Sequence, residues 1–219
     1  MPGPNLRPAV LTARDKLRKG RDKLKTLHAG GAPGIQVSTY LTDLVDAICL
    51  ELYEAAWTDL GGRERESHLA LVAHGGYGRR DVAPFSDVDL MMLLDPGSEP
   101  LVRPVAQRLT QDICDAGLTL GFSLRTPLDA CQLALADATV FTSLAESRFL
   151  AGHEPLFARF LERLRRSAAL RTLVRETSLA PSDLILPLFF SETLTEPTSI
   201  PRRRSSSSSF QSSRRTLSG

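Results

Sequence analysis

The stretch HGGYGRRDVAPFSDVDLMMLLD, residues 74–95, carries the pattern that decides the fold. An apolar run at residues 69–74 leads into it, and a second apolar run, residues 88–94, closes it. Short apolar runs bounded by glycine, proline and aspartate predict buried β-strands. Successive side chains of a strand point to opposite faces, so Asp87 and Asp89 are predicted to project from one face of the second strand.

Two carboxylates on one face at the start of a strand are candidate metal ligands. Mg²⁺ binds few protein oxygens and keeps coordination positions for water and substrate phosphates. Asp87 and Asp89 are therefore the predicted metal ligands and the predicted catalytic residues of the chain, with Mg²⁺ as the cofactor.

The glycine-rich turn before the aspartates is a candidate phosphate-binding loop. Its glycines let the backbone approach a ligand closely, and N–H groups at a helix start attract anions. An arginine at position 79 or 80 could add a planar guanidinium, and the serine at 86 could bind a phosphate or merely cap the strand. The predicted nucleotide-binding residues are Gly75, Gly76, Gly78, Arg79 and Ser86. A metal site next to a phosphate-binding loop suits nucleotidyl transfer from a nucleoside triphosphate.

Each half of this pattern also has a purely structural interpretation. A Gly-Gly-x-Gly segment alone is usually a turn, and an Asp-x-Asp segment alone is usually a pair of solvated acids at a strand end. An apolar strand, a glycine turn and Ser-Asp-x-Asp leading into another apolar strand form a far more restrictive pattern. The combination favours a functional site.

The remaining elements predict an α+β (α/β-like) fold with a kernel of about three strands flanked by helices. Alternating apolar residues over 118–125 predict the third strand. Pro127 opens a helical region that is predicted to continue, with breaks, to about residue 172 and to form a helical C-terminal extension. Helical patterns occupy residues 14–28, which are basic and predicted to face solvent, residues 37–56 and residues 101–116.

Charge and cysteine content limit the partners and the compartment. The formal charge is +2, but residues 201–219 contribute five arginines and no acid, which leaves 22 basic and 25 acidic groups elsewhere, a net of −3. A mildly acidic folded part argues against a nucleic-acid partner. Without an apolar membrane-spanning run, a secretory signal or a disulfide pattern, we expect a cytoplasmic protein with no membrane partner.

Three segments resemble the nucleotidyltransferase domain of the DNA polymerase β superfamily. Within that group they look like the N-terminal domain of the bacterial PII-protein uridylyltransferases. The evidence is the opening stretch, the preceding helix GIQVSTYLTDLVDAICLELYEAA and the later segment LTLGFSLRTPLDACQLALADATVFTSLAESRFLAG. The later segment resembles the family's G-H-S-V-R-T strand and its D-x-T-V-x-T and E-x-R-x-L-x-G helix. The resemblance covers about residues 14–165.

The resemblance implies transfer of UMP from UTP to a tyrosine of the PII nitrogen-regulatory protein. Asp87 and Asp89 would hold Mg²⁺, and Gly75, Gly76 and Arg79 would cradle the triphosphate. The family's hydrolase and sensor domains have no counterpart in the chain, so we expect a truncated form without uridylyl removal. The alternative is a catalytically inactive nucleotide-binding fragment or a fusion remnant with porphobilinogen synthase, the family that the C-terminal residues resemble.

The chain departs from the family pattern at three places. Phe122 stands where histidine is common, and Arg80 stands where glycine is frequent, which the turn should tolerate if φ is negative. Many members carry a third carboxylate on the next strand, but residues 118–125 contain none. Asp137 and Glu146 are the nearest candidates, and each is equally well a helix-cap or ion-pair residue.

The C-terminal residues have a different character. Residues 163–200 resemble the start of porphobilinogen synthase, but an eight-stranded barrel needs about 250 residues and cannot form here. The Arg/Ser-rich tail, residues 201–219, cannot bury a core and is predicted to be disordered. We interpret it as the end of a truncated or fused gene in preference to a nucleic-acid-binding segment. The predicted divisions are residues 1–35 (helix and linker), 36–165 (nucleotidyltransferase domain), 166–200 (helix-strand extension) and 201–219 (tail).

Overall fold

The computed structural model describes residues 6–166, and the expectations for residues 167–219 lie outside this range. Those expectations are the disordered Arg/Ser tail and the resemblance to porphobilinogen synthase, of which only residues 163–166 are described. Within the described residues, seven α-helices surround one four-stranded sheet. No helix in this range is long and apolar enough to span a membrane.

After two long N-terminal helices, strands and helices alternate along the chain, except that two helices follow the third strand. The helices are α1 (Pro8–Ala29), α2 (Gly34–Leu60), α3 (Gly75–Gly78), α4 (Glu99–Ala116), α5 (Pro127–Ala136), α6 (Ala138–Ala145) and α7 (Glu154–Arg166). A 3-10 helix, Arg63–His68, precedes the first strand. The strands are β1 (Leu69–Ala73), β2 (Val88–Leu94), β3 (Leu120–Arg125) and β4 (Arg148–Gly152).

The sheet is mixed, and its strand order is β3-β2-β1-β4. β1 runs antiparallel to both β2 and β4, whereas β2 and β3 are parallel. The register places Ala73 opposite Leu90 and Asp89 beside Gly121. The predicted combination of helices and a small sheet is confirmed, as are the three predicted strands.

The fourth strand corrects the prediction of a helical region, with breaks but without a strand, from Pro127 to about residue 172. Residues 148–152 pair with β1, about 80 positions earlier in the chain, so their extended conformation depends on a distant partner. Gly152 has φ +92°, and a Cβ there would lie 2.5 Å from the Leu69 carbonyl oxygen. The close contact with β1 therefore requires glycine at the end of β4.

Helices cover both faces of the sheet. Leu71, Leu90 and Met92 pack with α1, α2 and α4, while Val72 and Met91 pack with α5, α6 and α7. Strands buried on two faces read as continuous apolar runs rather than as alternating ones. This is why the sequences of β1 and β2 lack a polar face.

Helix α1 corrects the expectation of a short, solvent-facing helix at residues 14–28. It starts at Pro8 and buries a stripe of residues at helical spacing: Val10, Ala13, Leu17, Gly20 and Leu24. A Cβ on Gly20 would lie 2.2 Å from a methyl carbon of Leu44, so α1 and α2 are in very close contact at this point. The basic residues occupy the other sides of α1, which explains why the helix appears polar in the sequence.

A buried aspartate helps to attach the N-terminal end of α1 to the core. Asp112 on α4 is fully buried, and its Oδ1 lies 3.0 Å from Nη1 of Arg7. Its other oxygen accepts a hydrogen bond of 2.7 Å from Nε of Arg108, which also reaches Asp59 on α2. A buried carboxylate needs such cationic partners to remain ionised.

Candidate nucleotide and metal site

Asp87 and Asp89 lie at the start of β2, and their carboxylates are unpaired among the described residues. Asp87 immediately precedes the strand and is exposed, whereas Asp89 is its second residue and is partly buried. Asp89 shares a sheet face with Met91, the face that α5, α6 and α7 cover. Between residues 6 and 166 neither carboxylate has a hydrogen-bonding or ion-pair partner, so both sets of oxygens are free for a cation.

Two glycines leave the space that the Asp89 side chain occupies. A Cβ on Gly75 would lie 2.8 Å from Oδ2 of Asp89, and a Cβ on Gly121 would lie 2.6 Å from Oδ1. Gly75 also has φ +60°, a conformation that side chains other than glycine rarely adopt. The structure therefore gives Gly75 a steric reason for being glycine, in addition to its predicted phosphate contact. Sequence reasoning missed Gly121, although a glycine within a strand is a signal of close approach.

The other two glycines of the turn differ in how closely they are packed. A Cβ on Gly78 would lie 2.6 Å from the Glu146 carbonyl oxygen, so helix α3 contacts the segment before β4 through bare backbone. The nearest atom to a Cβ on Gly76 would be the Asp81 carbonyl oxygen at 3.9 Å, which is ordinary contact. Gly75 and Gly76 supply the first N–H groups of α3, which a helix leaves without intrahelical partners.

Arg79 is engaged by two carboxylates. Its Nη1 donates to Oε2 of Glu146 at 3.0 Å, and its Nε lies 3.5 Å from Oδ2 of Asp81. The hydrogen bond that Arg79 donates to Glu146, together with the charges of Glu146 and Asp81, raises the pKa of Arg79. A phosphate contact would therefore require Arg79 to exchange one of these partners. Ser86, also predicted to bind phosphate, donates its hydroxyl proton to the Ala83 carbonyl at 2.9 Å.

Arg80 contradicts the expectation of a negative φ at its position. Its φ is +67°, in the left-handed region where a non-glycine residue is disfavoured by about 1–2 kcal/mol. The guanidinium pairs with Asp43 and lies 3.7 Å from Asp46, both on α2. Glycine would adopt this backbone conformation without strain, and two acids of α2 hold the arginine that occupies it here.

Neither candidate for a third carboxylate is free. Asp137 caps α6 by accepting hydrogen bonds from the N–H groups of Thr139 and Val140, at 2.7 and 3.3 Å. Glu146 is paired with Arg79. In the register of the sheet, the β3 residues beside Asp89 and Met91 are glycine and serine. The described chain contains no group of three or more His, Cys, Asp or Glu residues placed to hold a metal.

The donor chemistry nevertheless suits a hard divalent cation. The Asp87 and Asp89 oxygens are hard, ionisable and unpaired, and Mg²⁺ commonly takes only one or two protein carboxylates. Water and substrate phosphates complete its coordination. The two aspartates therefore fit Mg²⁺ as a pair, without a third protein ligand.

A cavity of about 300 Å³ opens between α6 and the sheet, on the same face as Asp89. Its walls are mainly apolar with a few polar groups, the usual character of a small-molecule pocket. The lining residues are His74, Met91, Ser123, Arg125, Leu133, Thr139, Val140, Ser143 and Leu144. Sequence reasoning did not find this cavity, because its walls come from four separate elements and the residue that follows β1.

His74 connects the cavity to the aspartates. Its backbone N–H donates to the Asp89 carbonyl at 3.1 Å, and its Nδ1 lies 2.9 Å from Oγ of Ser143. Burial lowers the pKa of His74, although the Asp89 charge opposes this shift. A neutral imidazole at this position adds a hydrogen-bonding group without adding positive charge. His74 was not among the site residues predicted from the sequence.

Arg148 contacts Tyr77 in the glycine turn and was not predicted from the sequence as a site residue. Its two terminal nitrogens donate to the Asp46 carboxylate at 2.9 and 3.0 Å. One of them also lies 3.4 Å from the Tyr77 carbonyl oxygen, and the guanidinium is 5.4 Å from the centre of the Tyr77 ring. This pair joins α2, α3 and β4. Asp46 and Arg148 are 102 positions apart, so no local pattern could reveal their contact.

Comparison with known proteins agrees with this geometry. Residues 18–126 match the family model described as "Putative nucleotidyltransferase DUF294". Three similar curated relatives are each named bifunctional uridylyltransferase/uridylyl-removing enzyme. They come from Erythrobacter litoralis (35% identity; 71% of this chain, 17% of the relative), Aromatoleum aromaticum (33%; 78% and 19%) and Nitrosospira multiformis (36%; 83% and 19%).

The chain spans less than a fifth of the length of these relatives. The matched region includes α2, the glycine turn, both aspartates and β3. The resemblance to the uridylyltransferase domain is therefore confirmed. The chain belongs to the nucleotidyltransferase domain family found in the uridylyltransferase/uridylyl-removing enzymes.

Proposed function

We propose that this chain is a Mg²⁺-dependent nucleotidyltransferase that transfers UMP from UTP to a tyrosine hydroxyl of the PII nitrogen-regulatory protein. The observation that carries the proposal is the pair of unpaired carboxylates, Asp87 and Asp89, at the start of β2. Asp89 lies against Gly75 of the glycine turn and shares a sheet face with a cavity large enough for part of a nucleotide. The relatives' names support uridylyl as the transferred group.

In this reaction the acceptor oxygen forms a bond to the α-phosphorus of UTP. The bond from that phosphorus to the bridging oxygen breaks, pyrophosphate leaves, and the hydroxyl proton passes to solvent. A divalent cation held by Asp87 and Asp89 would neutralise phosphate charge and favour departure of pyrophosphate. The first N–H groups of α3, from Gly75 and Gly76, would bind a phosphate oxygen.

Three further residues contribute to the site. Gly121 leaves room for the Asp89 carboxylate beside β3, which a larger side chain would displace. Arg79 would turn from Glu146 to the triphosphate, because a phosphate offers more acceptor oxygens and more negative charge than one carboxylate. Ser86 directly precedes Asp87, and its hydroxyl would donate to a phosphate oxygen in place of the Ala83 carbonyl.

One observation favours a second candidate, a nucleotide-binding module without turnover. β3 presents glycine and serine beside β2, where many superfamily members have a third carboxylate. A site with two carboxylates could bind a metal–nucleotide complex and still fail to activate the acceptor hydroxyl. The two candidates make the same binding prediction and differ only in group transfer.

Transfer of label from α-³²P-labelled UTP to purified PII protein in the presence of Mg²⁺ tests the proposal. We expect label on PII with the unaltered chain and none with Asp87→Asn or Asp89→Asn. The matched control is Asp95→Asn at the opposite end of β2, where the carboxylate is already paired with His68 and Arg159. UTP binding without transfer would support the second candidate, and absence of UTP binding would contradict both.

A further inference from the structure

The cavity beside Asp89 extends away from the aspartates along β2 and β3. Three successive pairs cross these strands on the face covered by α5, α6 and α7. They are Asp89 with Gly121, Met91 with Ser123, and Leu93 with Arg125. Each step along a strand pair advances about 7 Å, so Arg125 lies about 13 Å along the sheet from the Asp89 pair. Met91, Ser123 and Arg125 all line the cavity.

Arg125 differs from the other arginines around the site. Arg79, Arg80 and Arg148 are each paired with carboxylates. Arg125 is partly buried, and its side chain forms no hydrogen bond or ion pair with any residue in the described part of the chain. A guanidinium has five N–H donors and no acceptor, so a ligand that satisfies it must present acceptor oxygens or nitrogens.

The walls of the cavity indicate the shape of such a ligand. Leu133, Val140 and Leu144 give it apolar sides, and the hydroxyls of Ser123 and Ser143 are its small polar groups. Apolar sides suit the faces of a flat ring, while the donors of Arg125 suit carbonyl oxygens on the edge of that ring. A volume of about 300 Å³ is at the lower end for ligand pockets and favours a one-ring base over a two-ring base.

We propose that the cavity binds the base of the donor nucleotide and that Arg125 recognises carbonyl oxygens on the base edge. This inference rests on the proposed function, which places the phosphates at the aspartates and glycine turn and so directs the base towards Arg125. Arg125 is a specificity-determining residue and takes no part in the transfer. Uracil and cytosine differ at position 4, where uracil has a carbonyl acceptor and cytosine has an amino donor that cannot pair with a guanidinium. Adenine has an amino donor and no carbonyl oxygen. Recognition by Arg125 at position 4 of the base would therefore favour uracil over both.

Equilibrium binding of UTP, CTP, ATP and inorganic triphosphate to the full chain with Mg²⁺ tests this inference. We expect the unaltered chain to prefer UTP over CTP and ATP. Arg125→Gln should weaken UTP binding about tenfold, bring the UTP-to-CTP affinity ratio close to one and leave triphosphate binding unchanged. The matched control is Arg103→Gln on α4, where the arginine pairs with Glu99 on the helix surface.

A second variant keeps the test independent of any effect of Arg125 on folding. Val140→Phe places a ring in the cavity, so we expect it to weaken UTP binding while triphosphate binding is retained. An unchanged UTP-to-CTP ratio in Arg125→Gln would overturn the inference. Equal weakening of UTP and inorganic triphosphate would also overturn it, because Arg125 would then contact phosphate. If the unaltered chain binds no triphosphate, the proposed function itself fails.

Discussion

Asp89 of β2 lies directly beside Gly121 of β3, and a Cβ at position 121 would come within 2.6 Å of the Asp89 carboxylate. Gly121→Ala should therefore displace this carboxylate or separate the two strands. We expect Mg²⁺-dependent UTP binding to fall at least about tenfold and the free energy of unfolding to fall by about 1–3 kcal/mol. Calorimetric titration with UTP and urea unfolding measure the two effects.

The control for this substitution is Gly34→Ala at the start of α2, where a Cβ would have no neighbour within 4 Å. It should leave both measurements unchanged. Normal UTP binding by Gly121→Ala would show that the position of Asp89 does not depend on its glycine neighbour.

The Asp46–Arg148 pair should contribute more to stability than the surface ion pairs. The two hydrogen bonds at 2.9 and 3.0 Å join partly buried groups, so removing Asp46 would leave Arg148 without its main partner. We expect Asp46→Ala to lower the free energy of unfolding by about 2 kcal/mol, with a coupling energy of about 1–2 kcal/mol in a double-mutant cycle with Arg148→Ala. Urea unfolding of the four proteins gives these values.

The exposed pair between Lys16 and Glu51 provides the comparison. Glu51→Gln should change the free energy of unfolding by less than about 0.5 kcal/mol, because water screens exposed charges. Equal effects of Glu51→Gln and Asp46→Ala would contradict the structural role assigned to Arg148.

The positive φ of Arg80 predicts which residues its position accepts. Glycine relieves the backbone strain but loses the contacts with Asp43 and Asp46, so Arg80→Gly should change stability by no more than about 1 kcal/mol. Arg80→Val loses the same contacts and places a β-branched residue in the left-handed region. We expect the free energy of unfolding of Arg80→Val to be about 2 kcal/mol lower than that of Arg80→Gly, as measured by thermal or urea unfolding. Equal stabilities of the two variants would argue against a positive φ at position 80.

Burial of Cys49 predicts a loss of stability in alkali. Removal from water raises the pKa of the Cys49 thiol from 9.0 to about 12. As the pH rises, the unfolded chain therefore releases the Cys49 proton at a lower pH than the folded chain does. The stability contributed by the protonated thiol is complete below pH 9 and is lost as the pH rises from 9 towards 12. The loss approaches about 1.4 kcal/mol per pH unit.

Urea unfolding at pH 8, 9 and 10 tests this dependence, with Cys49→Ala as the variant that lacks the thiol. The variant should lose less stability between pH 9 and 10 than the unaltered chain. The exposed Cys114 should react with iodoacetamide at pH 8 well before Cys49. Identical pH slopes in the two proteins would refute the assignment to Cys49.

Local patterns were sufficient for the parts of the molecule that depend on short stretches of sequence. β1, β2 and β3 follow from apolar runs bounded by turn residues, and the glycine turn follows from its composition. The pair of aspartates follows from the two-residue period of a strand. β4 was missed because its partner lies far away in the chain, and the depth of α1 was underestimated because basic residues surround its buried stripe.

The fold class, the family and the presence of Asp87 and Asp89 beside a glycine turn follow from the sequence, since they depend on residue type and short spacings. The surroundings of the two aspartates depend on the packing of distant elements. This packing places Gly121 against Asp89, joins Asp46 to Arg148, pairs Arg79 with Glu146 and forms an open cavity lined by Arg125. These contacts join residues from about 30 to about 100 positions apart, and their geometry exists only once helices have packed on both faces of the sheet.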